Sequence, residues 1–102
     1  MIKLDKLPKF LMIFGLKVKL KVDKKIPPHI AGQYEYTKAL ISMNSQHESE
    51  KEFMHTLIHE CGHALFYRVS INQAISFEVH EYIVNNMATM LLENFDIKLK
   101  KP

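Results

Sequence analysis

The amino-acid sequence predicts an α+β fold, a small twisted sheet packed on two main helices. Two patterns and one absence predict it. Leu16, Val18, Leu20 and Val22 alternate with Lys17, Lys19 and Lys21, the period of two that gives a strand one buried and one wet face. Beyond position 50 the apolar residues switch, in two successive stretches, to the spacing of a helix buried along one stripe. No repeat, low-complexity tract or linker divides the chain, and its 102 residues suit a single domain, residues 1–102.

The basic strand is expected over residues 10–23, with the apolar run from Phe10 to Leu16 extending it backwards and Gly15 as a bulge. Pro27-Pro28 ends the extended segment, and the stretch around Gly32 is a loop or turn. Residues 33–43 form the next sheet region, one bent strand or two short ones, built from Tyr34, Tyr36, Leu40, Ile41 and Met43. Asn44 to Ser49 is polar and reads as a loop. Ser49 followed by Glu52 has capping-box spacing, in which each side chain satisfies a free backbone N–H at a helix start. Phe53, Leu57, Ile58, Cys61, Ala64 and Leu65 then recur at helical spacing and place the first helix at about 50–68. After a loop at 70–76, the second helix is expected at about 77–94, with Phe77, Val84, Met87, Ala88 and Leu91 on its inner stripe. The Lys-rich end is expected to fray.

Composition excludes several classes. Apolar residues at 47% and charged residues at 25% rule against a disordered chain. One cysteine, Cys61, cannot form an internal disulfide, so nothing points to an oxidising compartment. The beginning of the chain lacks a secretory pattern, and Phe10 to Leu16 is too short to span a bilayer, so a cytoplasmic location without membrane association is expected. The formal charge of +3 is uneven, with eight lysines in the first 25 residues. Such a segment could meet phosphates, but it has no interleaved aromatic and Arg residues and no nucleic-acid motif. It reads as a solvated strand face that discourages edge-to-edge association, and nucleic acid is not an expected partner. The oligomeric state stays open.

The chemistry lies in His59-Glu60-Cys61-Gly62-His63, an H-E-x-x-H sequence in the middle of the first helix. Residues four apart share a helix face one turn apart, so both imidazoles can reach one Zn²⁺. Glu60 can contact a water on that ion without being a ligand. Zinc lowers the pKa of its water towards neutrality, and the carboxylate can take the proton, which suits amide hydrolysis. With Thr56-Leu57-Ile58 before the motif and Ala64-Leu65-Phe66 after it, burying two His residues and a Glu there would be costly unless something satisfied them. Phe66 and Val69 stand where a third histidine on the same helix would need Gly and His. The third ligand therefore comes from the second helix, where Glu81 falls on the apolar stripe and His80 is the alternative; Glu78 lies on the wetter side with Tyr82 and Asn85. Cys61 lies well around the helix from both histidines and reads as core, and Gly62 allows a close approach. His29, His47 and His55 read as surface residues.

This combination, with Thr56-Leu57-Ile58-His59-Glu60-Cys61-Gly62-His63-Ala64-Leu65 and a Glu on the following helix, resembles the gluzincin branch of the zincin metallopeptidases. It is most similar to short bacterial and phage domains of the ImmA/IrrE type, over about residues 32–94. The resemblance implies a minimal zincin-like domain, a zinc-dependent peptidase acting on a specific protein or peptide substrate, in a host cytoplasm if phage-encoded. It implies an oxyanion or substrate contact from a Tyr or His, for which Tyr82, His80 and Tyr67 are the candidates. It also implies a strand that pairs with the substrate backbone, here Lys38, Ala39, Leu40, Ile41, Ser42 and Met43. Two rival functions are a zinc-binding interaction protein without catalysis, favoured by a closed four-ligand site, and a basic nucleic-acid or partner-binding module.

Overall fold

The computed structural model describes residues 7–47, 49–69 and 74–100. It is an α+β domain: a four-stranded mixed sheet and two helices, the first packed on the sheet and the second on the first. The strands are β1 (Phe10–Ile13), β2 (Leu16–Asp23), β3 (Gly32–Glu35) and β4 (Leu40–Asn44), in the order β1-β2-β4-β3, followed by helices α1 (Glu50–Arg68) and α2 (Phe77–Asn94). Of the loop expected at 70–76, residues 70–73 lie outside the described part, as do the first six residues and the last two.

The expected strand over 10–23 is instead a hairpin. Phe14 and Gly15 take φ of 48° and 83°, the pair of positive angles that a two-residue type I′ turn requires. Gly15 therefore closes a turn between Ile13 and Leu16 rather than forming a bulge. Arg68 Nε donates to Phe14 O at 3.2 Å, tying the end of α1 to this turn. The lysine-and-valine alternation holds: Val18 and Leu20 are buried, while Lys17, Lys19 and Lys21 are exposed on the open sheet face.

After β2 the chain crosses to the far edge to form β3, turns through a short 3-10 segment (Tyr36–Lys38), and returns as β4 between β3 and β2. Region 33–43 is thus two short strands. Asn44, expected in a loop, is the buried last residue of β4. Its Nδ2 donates to Pro27 O at 3.2 Å and Ile30 O at 2.9 Å, and its N–H to Ala31 O at 2.9 Å. These bonds fix the segment after the two prolines, which forms one wall of the cleft described below.

Helix α1 starts on Ser49, whose hydroxyl accepts from Glu52 N–H at 3.1 Å, and α2 starts on Ser76, which accepts from Val79 N–H at 3.3 Å. Phe53, Leu57 and Ala64 of α1 pack on Ile13, Val18, Leu20, Ile41 and Met43 of the sheet. Helix α2 lies against α1, and Gly62 lets it close in: a Cβ there would sit 2.7 Å from Val84 Cγ1 and 3.0 Å from Val84 Cβ. Val84 and Ala88 are buried in this contact, whereas Phe77 and Met87, expected on the inner stripe, are exposed. The end of the chain is less free than composition suggests, because Leu99 packs against the core. Among the described residues, no helix is long and apolar enough to cross a membrane.

Candidate metal centre

On α1, His59 and His63 fall between the sheet-facing column (Phe53, Leu57, Ala64) and the α2-facing residues Gly62 and Phe66, as the rotation of roughly 100° per residue requires. They open into a cleft bounded by α1, α2 and edge strand β3, and lined also by Glu60, Glu81, Tyr34 and Tyr67. Its volume of about 580 Å³ is in the range that holds a small ligand or a few residues of an extended chain.

The donors converge. His59 Nε2 and His63 Nε2 are 3.1 Å apart, Glu81 Oε1 is 3.4 Å from His59 Nε2, and the same oxygen contacts His63 Nε2 directly. One donor atom from each of His59, Glu60 and His63 lies within 4.8 Å of the others. Two imidazole nitrogens and a carboxylate oxygen are all lone-pair donors, so their mutual approach needs a proton or a cation between them. A proton on one imidazole answers part of that need, whereas a cation answers all of it. Ligands about 2.0–2.1 Å from a tetrahedral ion lie roughly 3.3 Å apart, close to the separations seen. The cluster could hold a metal ion.

Burial, and secondarily the Glu81 carboxylate, push the Glu60 carboxyl up to about 7. Burial holds His63 below its ordinary range against the opposing pull of Glu81. It lowers His80 likewise. Tyr34 is pushed up by burial and then by the Tyr36 and Tyr67 phenols, so its hydroxyl stays a donor.

Several expected roles change. His80 stands apart from the converging donors: it is 2% exposed, and its Nε2 lies 2.9 Å from the opposite nitrogen of His63, Nδ1. Expected as the alternative third ligand or an oxyanion contact, it is packed beneath His63 and does not line the cleft. Tyr82 is 74% exposed and off the cleft; with Glu81 turned to the site, the next residue is carried round the helix to solvent. Tyr67 does line the cleft, its ring stacked 4.9 Å from that of Tyr36. The expected pairing strand is not free. Lys38 lies in the 3-10 turn, Ala39 has φ 46°, and Leu40, Ile41, Ser42 and Met43 already pair with β2 on one side and β3 on the other. The strand at the cleft is β3, which pairs on one side only among the described residues. Its Gly32 sits so close over α1 that a Cβ would be 2.9 Å from Thr56 Cγ2.

His55 is half-buried rather than a plain surface residue: it lines the cleft, one turn before His59, and its Nε2 is 3.0 Å from Thr89 Oγ1. The series His55, His59, His63 at intervals of four carried that signal in the sequence. His29 and Asn85 also line the cleft, and no local pattern marks them. His47 is half-buried against the ring of Phe53, 5.1 Å away. Cys61 packs against the core, where burial and then Glu60 push its thiol up to about 12.

No protein-family model matches the chain, and neither a curated protein nor a solved structure gives a significant match to it.

Proposed function

We propose that this chain is a zinc-dependent metallopeptidase that hydrolyses peptide bonds in a specific protein substrate. The observation that carries the reading is the approach of His59 Nε2, His63 Nε2 and Glu81 Oε1 to one another beside the buried Glu60 carboxyl. Two imidazoles and a carboxylate are a zinc donor set that leaves a coordination position open, as catalytic rather than structural sites do. The position of His80, bonded to the far side of His63, argues against a closed four-ligand site and so against a purely structural metal. Zinc, when bound, supplies a Lewis acid and lowers the pKa of water towards neutrality.

The remaining work falls to the chain's own side chains. Glu60 accepts the proton of the attacking water and returns it to the nitrogen of the departing amine, the base-then-acid role of a carboxylate within hydrogen-bond reach. Tyr34 and Tyr67 line the same cleft, with ring centroids 6.0 Å apart, and a phenol from this wall would stabilise a developing oxyanion. The edge of β3, unpaired among the described residues, offers backbone groups to an extended substrate segment. That recognition requires an extended segment, so the substrate is an unfolded or loop region of a protein.

The test is metal content and peptidase activity of the purified protein beside Glu60→Gln and Glu81→Ala. One zinc per chain is expected, retained in Glu60→Gln with hydrolysis lost, and bound at least tenfold more weakly in Glu81→Ala. A protein that takes up no zinc on reconstitution would sink the proposal.

A further inference from the structure

The ring of His63 is gripped by two consecutive residues of α2. Glu81 contacts its Nε2, and His80 lies at its Nδ1, 2.9 Å away. His80 is itself held: it is 2% exposed and stacks on Phe66 with ring centroids 4.4 Å apart and planes 19° from parallel. Its backbone N–H donates to Ser76 O in the first turn of α2.

We infer that His80 is the positioning residue of the metal centre, its Nε2 accepting a hydrogen bond from His63 Nδ1–H and so fixing the tautomer and ring plane that present His63 Nε2 to the ion. This rests on the reading of the cluster as a metal centre. A neutral imidazole carries one N–H. If that hydrogen were on Nε2, no lone pair would face His59 and Glu81, and His63 could not be a ligand through that atom. The hydrogen must then be on Nδ1, where a buried N–H needs an acceptor, and His80 Nε2 is the acceptor at hand. Acceptance at Nε2 leaves the His80 hydrogen on Nδ1, so one hydrogen bond sets the tautomers of both rings. Hydrogen bonds to the second nitrogen of a ligating histidine orient the ring and raise its basicity.

The experiment titrates metal-free wild type, His80→Gln and His80→Phe with Zn²⁺ against a chromophoric chelator, with circular dichroism to verify the fold. His80→Phe keeps the stacking on Phe66 and loses the acceptor, so its zinc affinity falls about 10–100-fold. His80→Gln, whose amide oxygen accepts the same bond, keeps most of the affinity. Tight binding by wild type with no loss in a folded His80→Phe overturns the role of His80 alone. Failure of wild type to bind zinc overturns the metal centre and this inference with it. Should His80→Phe not fold, wild type loaded with NMR-active cadmium decides. Coupling of the metal to His63 Nε2 with a proton on Nδ1 is expected; coupling to Nδ1 overturns the inference.

Discussion

Glu60 shows how one side chain can be a burden to the fold and still be kept at a site. Its carboxyl is buried in the wall of the cleft, where losing its proton costs solvation. In metal-free protein the folded chain keeps that proton up to a pH of about 7, whereas an unfolded chain releases it near the ordinary carboxyl value. Between those limits the folded state binds more protons, so stability falls as pH rises from about 4.5 to 7. Glu60→Gln removes this loss. The stability of the metal-free variant relative to wild type should therefore increase from pH 5 to pH 8, on the order of 2 kcal/mol. Chemical denaturation at the two pH values, with chelator present, measures it. A constant difference would mean that Glu60 titrates as an exposed carboxyl. The histidine pair and Glu60 were legible in the sequence because their spacing of four and one is a property of the helix itself. The exclusion of Tyr82 and the placement of His80 beneath His63 were not, since rotation about α2 decides them.

Among the elements, the α1–α2 contact sets the site, because its donors come from both helices. Gly62 stands one residue before His63, and Val84 three after Glu81, so this tight contact between the helices is next to the donors. Gly62→Ala would place a Cβ 2.7 Å from Val84 Cγ1. Relief requires the helices to separate or Val84 to move, at a cost of about 1–3 kcal/mol, and separation draws Glu81 away from both imidazoles. Lower thermal stability together with weaker zinc binding is expected, and Gly62→Ala/Val84→Ala should recover part of both. Independent, additive effects of the two substitutions would refute the packing account. The start of α1 is legible in the sequence because Ser49 caps it locally, and that of α2 because its apolar stripe begins at Phe77; the hairpin at Phe14-Gly15 is not, because an apolar run hides a turn whose first residue is Phe.

For the whole molecule, the main packing of α2 is on α1, and an ion held by donors of both would tie the two helices together. Metal at about 100 times its dissociation constant adds about 2.7 kcal/mol to the folded state, which for a domain of this size raises the unfolding midpoint by on the order of 10 °C. Chelation should reverse that shift in a thermal scan; an unchanged midpoint would show that the folded chain holds no ion at this concentration. The α+β class, the two helices and the H-E-x-x-H donors were set by the sequence alone, because alternation, helical periodicity and capping act over a few residues. Which strand borders the cleft was decided only in three dimensions. Strand β4 looked available to a substrate until β2 and β3 closed on both of its sides, and His29 reached the cleft wall because Asn44 holds the backbone at Pro27 and Ile30. These outcomes depend on pairing and hydrogen bonding between residues distant in the chain, and no local pattern encodes such partners.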